Sequence, residues 1–150
     1  MSFTGLAQPI TQTVRLKFTF PANTPAGTVV LGKITTDPQQ PEQDFLSVPS
    51  TEVWHITDIY AESTADIGAD GYLDLVINDL RQNLRFGPMA QTLKTLLRPI
   101  ALRQAIIVDR LSKLAFVFQN RANVGASPVS TTITVEIVRV PVGAPVAMRG

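Results

Sequence analysis

The chain has 150 residues, with 13 Lys+Arg against 12 Asp+Glu for a net charge of +1, which is room for one domain with an ordinary hydrophobic core. It has no Cys and one His, which excludes disulfide scaffolds, iron–sulfur clusters, thiolate zinc sites, thiol catalysis and multi-histidine metal centres. Charged residues make up only 17% of the chain against 45% apolar, a low charge density that points to surface covered by something else.

The first 14 residues, MSFTGLAQPITQTV, carry no charge, and Pro9 makes them an extended arm. They hold neither a basic nor an apolar signal region, so synthesis in a cytosol is expected. From Thr13 to Phe20 the alternation is clean. Val14, Leu16, Phe18 and Phe20 face one way and Arg15, Lys17 and Thr19 the other, which predicts a half-buried strand. Gly27 to Thr36 reads as a second strand. Residues 37–50 hold three Pro and no β-pattern, and read as a long loop anchored by Phe45 and Leu46.

Glu52 to Glu62 is a long strand whose apolar positions Trp54, Ile56, Ile59 and Ala61 change face midway, which predicts a bulge near Thr57–Asp58. Asp70-Gly71 is a turn signal, and Tyr72 to Asn78 returns as a strand with Leu73, Leu75 and Ile77 on one face. These two segments read as an antiparallel pair. Met89, Leu93, Leu96 and Leu97 have helical spacing between Pro88 and Pro99, which predicts a short helix over 89–97. Residues 105–108, 113–120 and 131–140 are further strands, the last with Ile133, Val135 and Ile137 on one face. With β-branched Val (15), Ile (11) and Thr (16) so frequent, about eight short strands argue for a sandwich or barrel. No apolar run approaches the roughly 20 residues that span a bilayer.

Motifs for chemistry are sparse. Gly27 to Lys33 matches G-x-x-x-x-G-K, but Ile34 stands where a phosphate-binding loop needs Ser or Thr, and the pattern continues as strand. His55 lies on a strand beside Trp54 without a nucleophile elbow, and reads as structural or interfacial. Asp66, Asp70, Asp74, Asn78 and Asp79 lack calcium-loop spacing and read as a solvated acidic hairpin. Among Glu52, Glu62 and Glu136 nothing marks a catalytic pair. The nine Arg are spaced singly, with no basic arm for nucleic acid. No enzymatic activity, cofactor or metal is expected.

Charge is divided along the chain. Residues 34–80 hold ten Asp or Glu and no Lys or Arg, whereas residues 81–150 hold ten Lys or Arg and only Asp109 and Glu136 as acids. Either the two stretches neutralise each other within one molecule, or an acidic edge meets a basic edge on a neighbouring copy.

The uncharged N-terminus, the order of the strands and the closing strand TTITVEIVRVPV together resemble the single jelly-roll proteins of virus particles. The resemblance implies a small capsid protein or a cement (decoration) protein that self-associates, trimers being favoured, and contacts other shell proteins. From the residues themselves, neither direct nucleic-acid binding nor a membrane span is expected. The reading is an all-β antiparallel sandwich of jelly-roll type, with an arm at 1–12, a body at 13–140 and an arm at 141–150. Phe3, Leu6 and Ile10 are expected to dock in a groove on a neighbour. Glu62, Asp66, Asp70 and Asp74 are expected to face Arg98, Arg103, Arg110 or Arg121 across a subunit boundary. A receptor- or carbohydrate-binding knob is the alternative, and a hydrolase on the same fold a further rival.

Overall fold

The computed structural model describes residues 8–94 and 100–142, with the backbone alone at 100–104. The expected alternation makes the first strand: β1 (Ile10–Phe20) buries Val14, Leu16, Phe18 and Phe20 completely and leaves the residues between them exposed. It pairs antiparallel with β10 (Val129–Pro141) over its full length, from Ile10↔Arg139 to Phe20↔Val129. The strand therefore starts three residues before the expected start of the body, and Ile10 to Gln12 belong to the sheet.

The expected strand over 27–36 is two strands in two sheets. β2 (Val29–Leu31) pairs with β9 (Lys113–Asn120), while β3 (Lys33–Thr35) pairs with β1. The break is Gly32, where a Cβ would meet the Phe18 ring at 2.6 Å. The missing side chain lets the backbone turn from one sheet to the other beneath that ring. The apparent phosphate-loop match is this corner.

β4 (Leu46–Ser47) then runs beside β9. Its anchors are Leu46 and Val48, both buried; Phe45 is exposed, with the Lys113 ammonium 4.6 Å from its ring centre. β5 (Glu52–Tyr60) lies between β10 and β8 (Ile100–Val108). β6 (Gly71–Ile77) lies between β9 and β7 (Leu80–Arg81). The segments around β5 and β6 are thus in different sheets rather than paired. Residues 61–70 cross between the layers through a single 3-10 turn at Thr64–Asp66.

Of the helix expected over 89–97, the described part begins as a 3-10 turn at Met89–Gln91, and residues 95–99 lie outside the described residues. A longer helix loses at Thr92. Its carbonyl accepts from Ala61 N–H, and Lys94 N–H donates to Ala61 O, so strand-like pairing takes the groups a helix would need.

Sheet A has the order β3-β1-β10-β5-β8, and sheet B the order β2-β9-β6-β7. The pairs are nested: β1 with β10, β2 with β9, β5 with β8 and β6 with β7. A long antiparallel ribbon rolled on itself gives this arrangement, which is the jelly roll. The core lies between the layers, where Phe18 and Phe20 of sheet A meet Phe118 of sheet B at ring separations of 5.2 and 6.0 Å. Thr131, Ile133, Val135 and Ile137 complete the inner face of β10. No helix among the described residues is long and apolar enough to cross a membrane.

Candidate functional site

The outer face of sheet A carries a carboxyl group raised above its ordinary range, Glu136. Trp54 and Ile56 point inward from β5, then the register shifts between Ile56 and Asp58, and Ile59 points inward instead. This is the bulge the hydropathy pattern predicted. Its consequence is that Asp58 and Tyr60 turn outward. Asp58 stands directly opposite Glu136 of β10, and Tyr60 opposite Thr134.

Like charges directly across a ladder repel, and the surroundings relieve this in part. Burial pushes the Glu136 carboxyl above its ordinary range, and its hydrogen bond and charge interaction with Asp58 push it further. The Tyr60 hydroxyl, 3.4 Å from Glu136 Oε1, and the Lys94 ammonium act the other way. Lys94 also sits 5.3 Å from the Tyr60 ring centre. Burial, then Glu136, raises the Tyr60 phenol in turn. His55 also faces outward, between Val138 and Ile107 on the neighbouring strands.

Several residues expected at a subunit boundary are engaged within the chain. Asp70 accepts from Arg121 Nη1 at 3.0 Å and from the backbone N–H of Gly71 and Ala90. Asp74 is buried beneath the β7 segment and accepts from Arg81 Nε and from Leu75 and Leu84 N–H. Glu62 approaches Arg15 at 3.8 Å, and Asp66 caps its own turn through Ser63. Arg110 is exposed in the turn before β9. Arg103 lies in β8 among the residues described by backbone alone, and Phe3, Leu6 and Arg98 lie outside the described residues. Ile10 opens β1 with 61% of its surface exposed.

At one end of sheet A, Arg139 forms a two-point pair with Glu52 at 2.7 and 2.9 Å, and its guanidinium lies 5.5 Å from the Trp54 ring centre. Trp54 Nε1 donates to the same carboxylate, and Arg139 reaches Gln12 of β1. The hydrogen bond from Arg139 holds the Glu52 carboxyl below its usual range. This cluster ties β1, β5 and β10 together.

The outer face of sheet B has a shallow depression of about 470 Å³ around Tyr72, Arg85, Gln119 and Arg121, floored by Ala26 and Gly27. The Arg85 guanidinium carbon lies 3.9 Å from the Tyr72 ring centre, and that of Arg121 lies 6.0 Å from it on account of its tie to Asp70. A second hollow of about 490 Å³, on the β1–β3 edge of sheet A, is lined by Thr13, Arg15, Lys17, Thr35 and Glu42. Sequence reasoning missed both the Asp58–Glu136 pair and the Tyr72 depression. The predicted bulge was the available signal for the first. Arg85, in an unpatterned stretch, gave none for the second.

No protein-family model matches the chain, and a search of curated proteins finds no match.

Proposed function

We propose that the chain is a structural subunit of a virus particle, made in the host cytoplasm and acting as a capsid or cement protein. It works by self-association, with a trimer favoured and other shell proteins as further partners, and performs no catalytic step of its own. The nested strand order carries the reading: an eight-strand jelly roll with little besides its rolled ribbon is a build used for shells. Fold alone hosts many functions, so a second feature matters. Ile10 heads β1 as an exposed apolar side chain, in position to continue an apolar arm onto a neighbour. Exposed charges such as Arg110 supply complementary edges that set register more than affinity.

Native mass measurement of the full chain tests this. A closed oligomer, whose formation slows as salt is added, is the expected result. A chain that stays monomeric at every accessible concentration, alone and with shell proteins, overturns it. A second reading, a carbohydrate-binding knob on the same fold, is favoured by the concave face around Tyr72 and its two flanking arginines.

A further inference from the structure

We infer that the depression around Tyr72 is a recognition subsite for a carboxylate-bearing sugar residue of the hexuronate type. This deepens the knob reading and does not depend on the role in assembly.

Three features converge on that ligand class. The first is a cation held in place without a carboxylate. Arg81 is tied to Asp74 and Arg121 to Asp70, whereas among the described residues no carboxylate lies within ion-pair distance of Arg85. Arg85 instead holds its guanidinium carbon over the Tyr72 ring, 3.9 Å from the ring centre. The contact with the ring restricts the side chain's rotamers, and among the described residues no hydrogen bond takes up its N–H donors, whose fork fits a carboxylate at two points.

The second feature is an acceptor beside that donor. Gln119 donates its amide N–H to Gly27 O at 3.1 Å, which orients the amide and leaves its carbonyl oxygen to accept from a ligand hydroxyl. A bare phosphate has no hydroxyl-rich body to offer that oxygen, and a sugar acid does. The third is the half-buried Tyr72 ring: Arg85 covers one face, and the surface that remains lines the depression as an apolar wall for a sugar's C–H groups. Asn120, at the back of the depression, holds the rim rather than a ligand. Its Oδ1 accepts from Thr28 N–H, and its Nδ2 donates to Pro25 O and Ala122 O.

The test is an NMR titration of the full chain with a glucuronate-containing oligosaccharide and with its glucose counterpart. The acidic sugar should shift the Tyr72 and Gln119 signals and bind about tenfold more tightly than the neutral one, in line with one charge-assisted contact. Arg85→Ala and Arg85→Lys should each remove most of that preference, Gln119→Ala should weaken both sugars, and Arg110→Ala should change nothing. Equal affinity for the two sugars, no binding of either, or unchanged binding by Arg85→Ala overturns the inference. Native mass of Arg85→Ala is measured alongside and should equal that of the parent. An oligomer lost in that variant, with no response to sugar, would assign the face to a second copy and overturn the inference while leaving the assembly role intact.

Discussion

Thr134 points outward from β10 and yet has no exposed surface, and its hydroxyl has no hydrogen-bond partner among the described residues. A buried polar group without a partner is destabilising by about 1–3 kcal/mol relative to a satisfied one. Thr134→Val keeps the shape and removes the hydroxyl. It should raise stability by roughly 1 kcal/mol, read as a higher urea midpoint at unchanged slope; a lower midpoint would show that the hydroxyl is satisfied. Glycines act oppositely. At Gly71 a Cβ would fall 2.0 Å from the Gln119 carbonyl oxygen, which is backbone in a paired strand and cannot move aside. Gly71→Ala should therefore cost about 2–4 kcal/mol, a strain effect at the upper end for overpacking. Thermal unfolding of the variant checks this, and a melting temperature within a degree or two of the parent's would refute it. The sequence marked Asp70-Gly71 as a turn, whereas Gly71 opens β6 as a paired strand residue. Neither its close approach to Gln119 nor the burial of Thr134 was legible beforehand, because each depends on neighbours across a ladder, for Thr134 Arg15 and Tyr60.

At the scale of elements, β5 and β10 hold two carboxyls that respond to pH in opposite senses. Glu52 is held below 4.5 by its hydrogen bond to Arg139, so its contribution is present above that value and is lost as the pH falls through the lowered one. Glu136 is raised above 4.5, mainly by burial and then by Asp58. The folded state binds its proton more tightly, so its contribution is present below 4.5 and is lost as the pH rises through the raised value. Glu136→Gln should thus make the protein more stable at neutral pH and flatten the decline above pH 4.5. Glu52→Gln should lower stability at neutral pH and weaken its fall on the acid side. Urea unfolding followed across pH 3–8 reads both slopes, and a Glu136→Gln variant no more stable at neutrality than the parent would show that Asp58 and Glu136 do not repel. The sequence contained the cause of this pairing without the pairing itself. The change of face in β5 was visible in its apolar positions, but which strand lay beside it was decided by the nested ribbon.

On the scale of the whole molecule, the boundary between arm and body can be tested by truncation. β1 begins at Ile10, and Ile10, Thr11 and Gln12 pair with Arg139, Val138 and Ile137. Removing residues 1–9 should leave the melting temperature unchanged and weaken assembly. Removing residues 1–12 should also lower the melting temperature, because it strips three ladder positions and the Gln12 contact of Arg139. Equal melting temperatures for the two truncations would place the boundary at residue 12 after all. Equal assembly by the full chain and the shorter truncation would make residues 1–9 a tail without a docking role. The charge division also belongs to this scale. Asp70–Arg121, Asp74–Arg81 and Glu52–Arg139 join the acidic stretch to the basic one inside one chain.

The sequence by itself determined the all-β class, most strand positions, the inner faces of β1 and β10, and the bulge in β5. Each of these follows from a period-two pattern or a break in it, which is a local property of the chain. Only the tertiary structure decided that Gly32 turns one expected strand into two, that β5 and β6 lie in different layers, and that the start of the expected 89–97 helix is a 3-10 turn broken at Thr92. It alone brought Asp58 to Glu136 and set Arg85 on Tyr72. The physical reason is shared by all of these. Each is fixed by residues far apart in the chain competing for the same backbone groups, space or charge, and hydrophobic periodicity is silent about which distant strand becomes the neighbour.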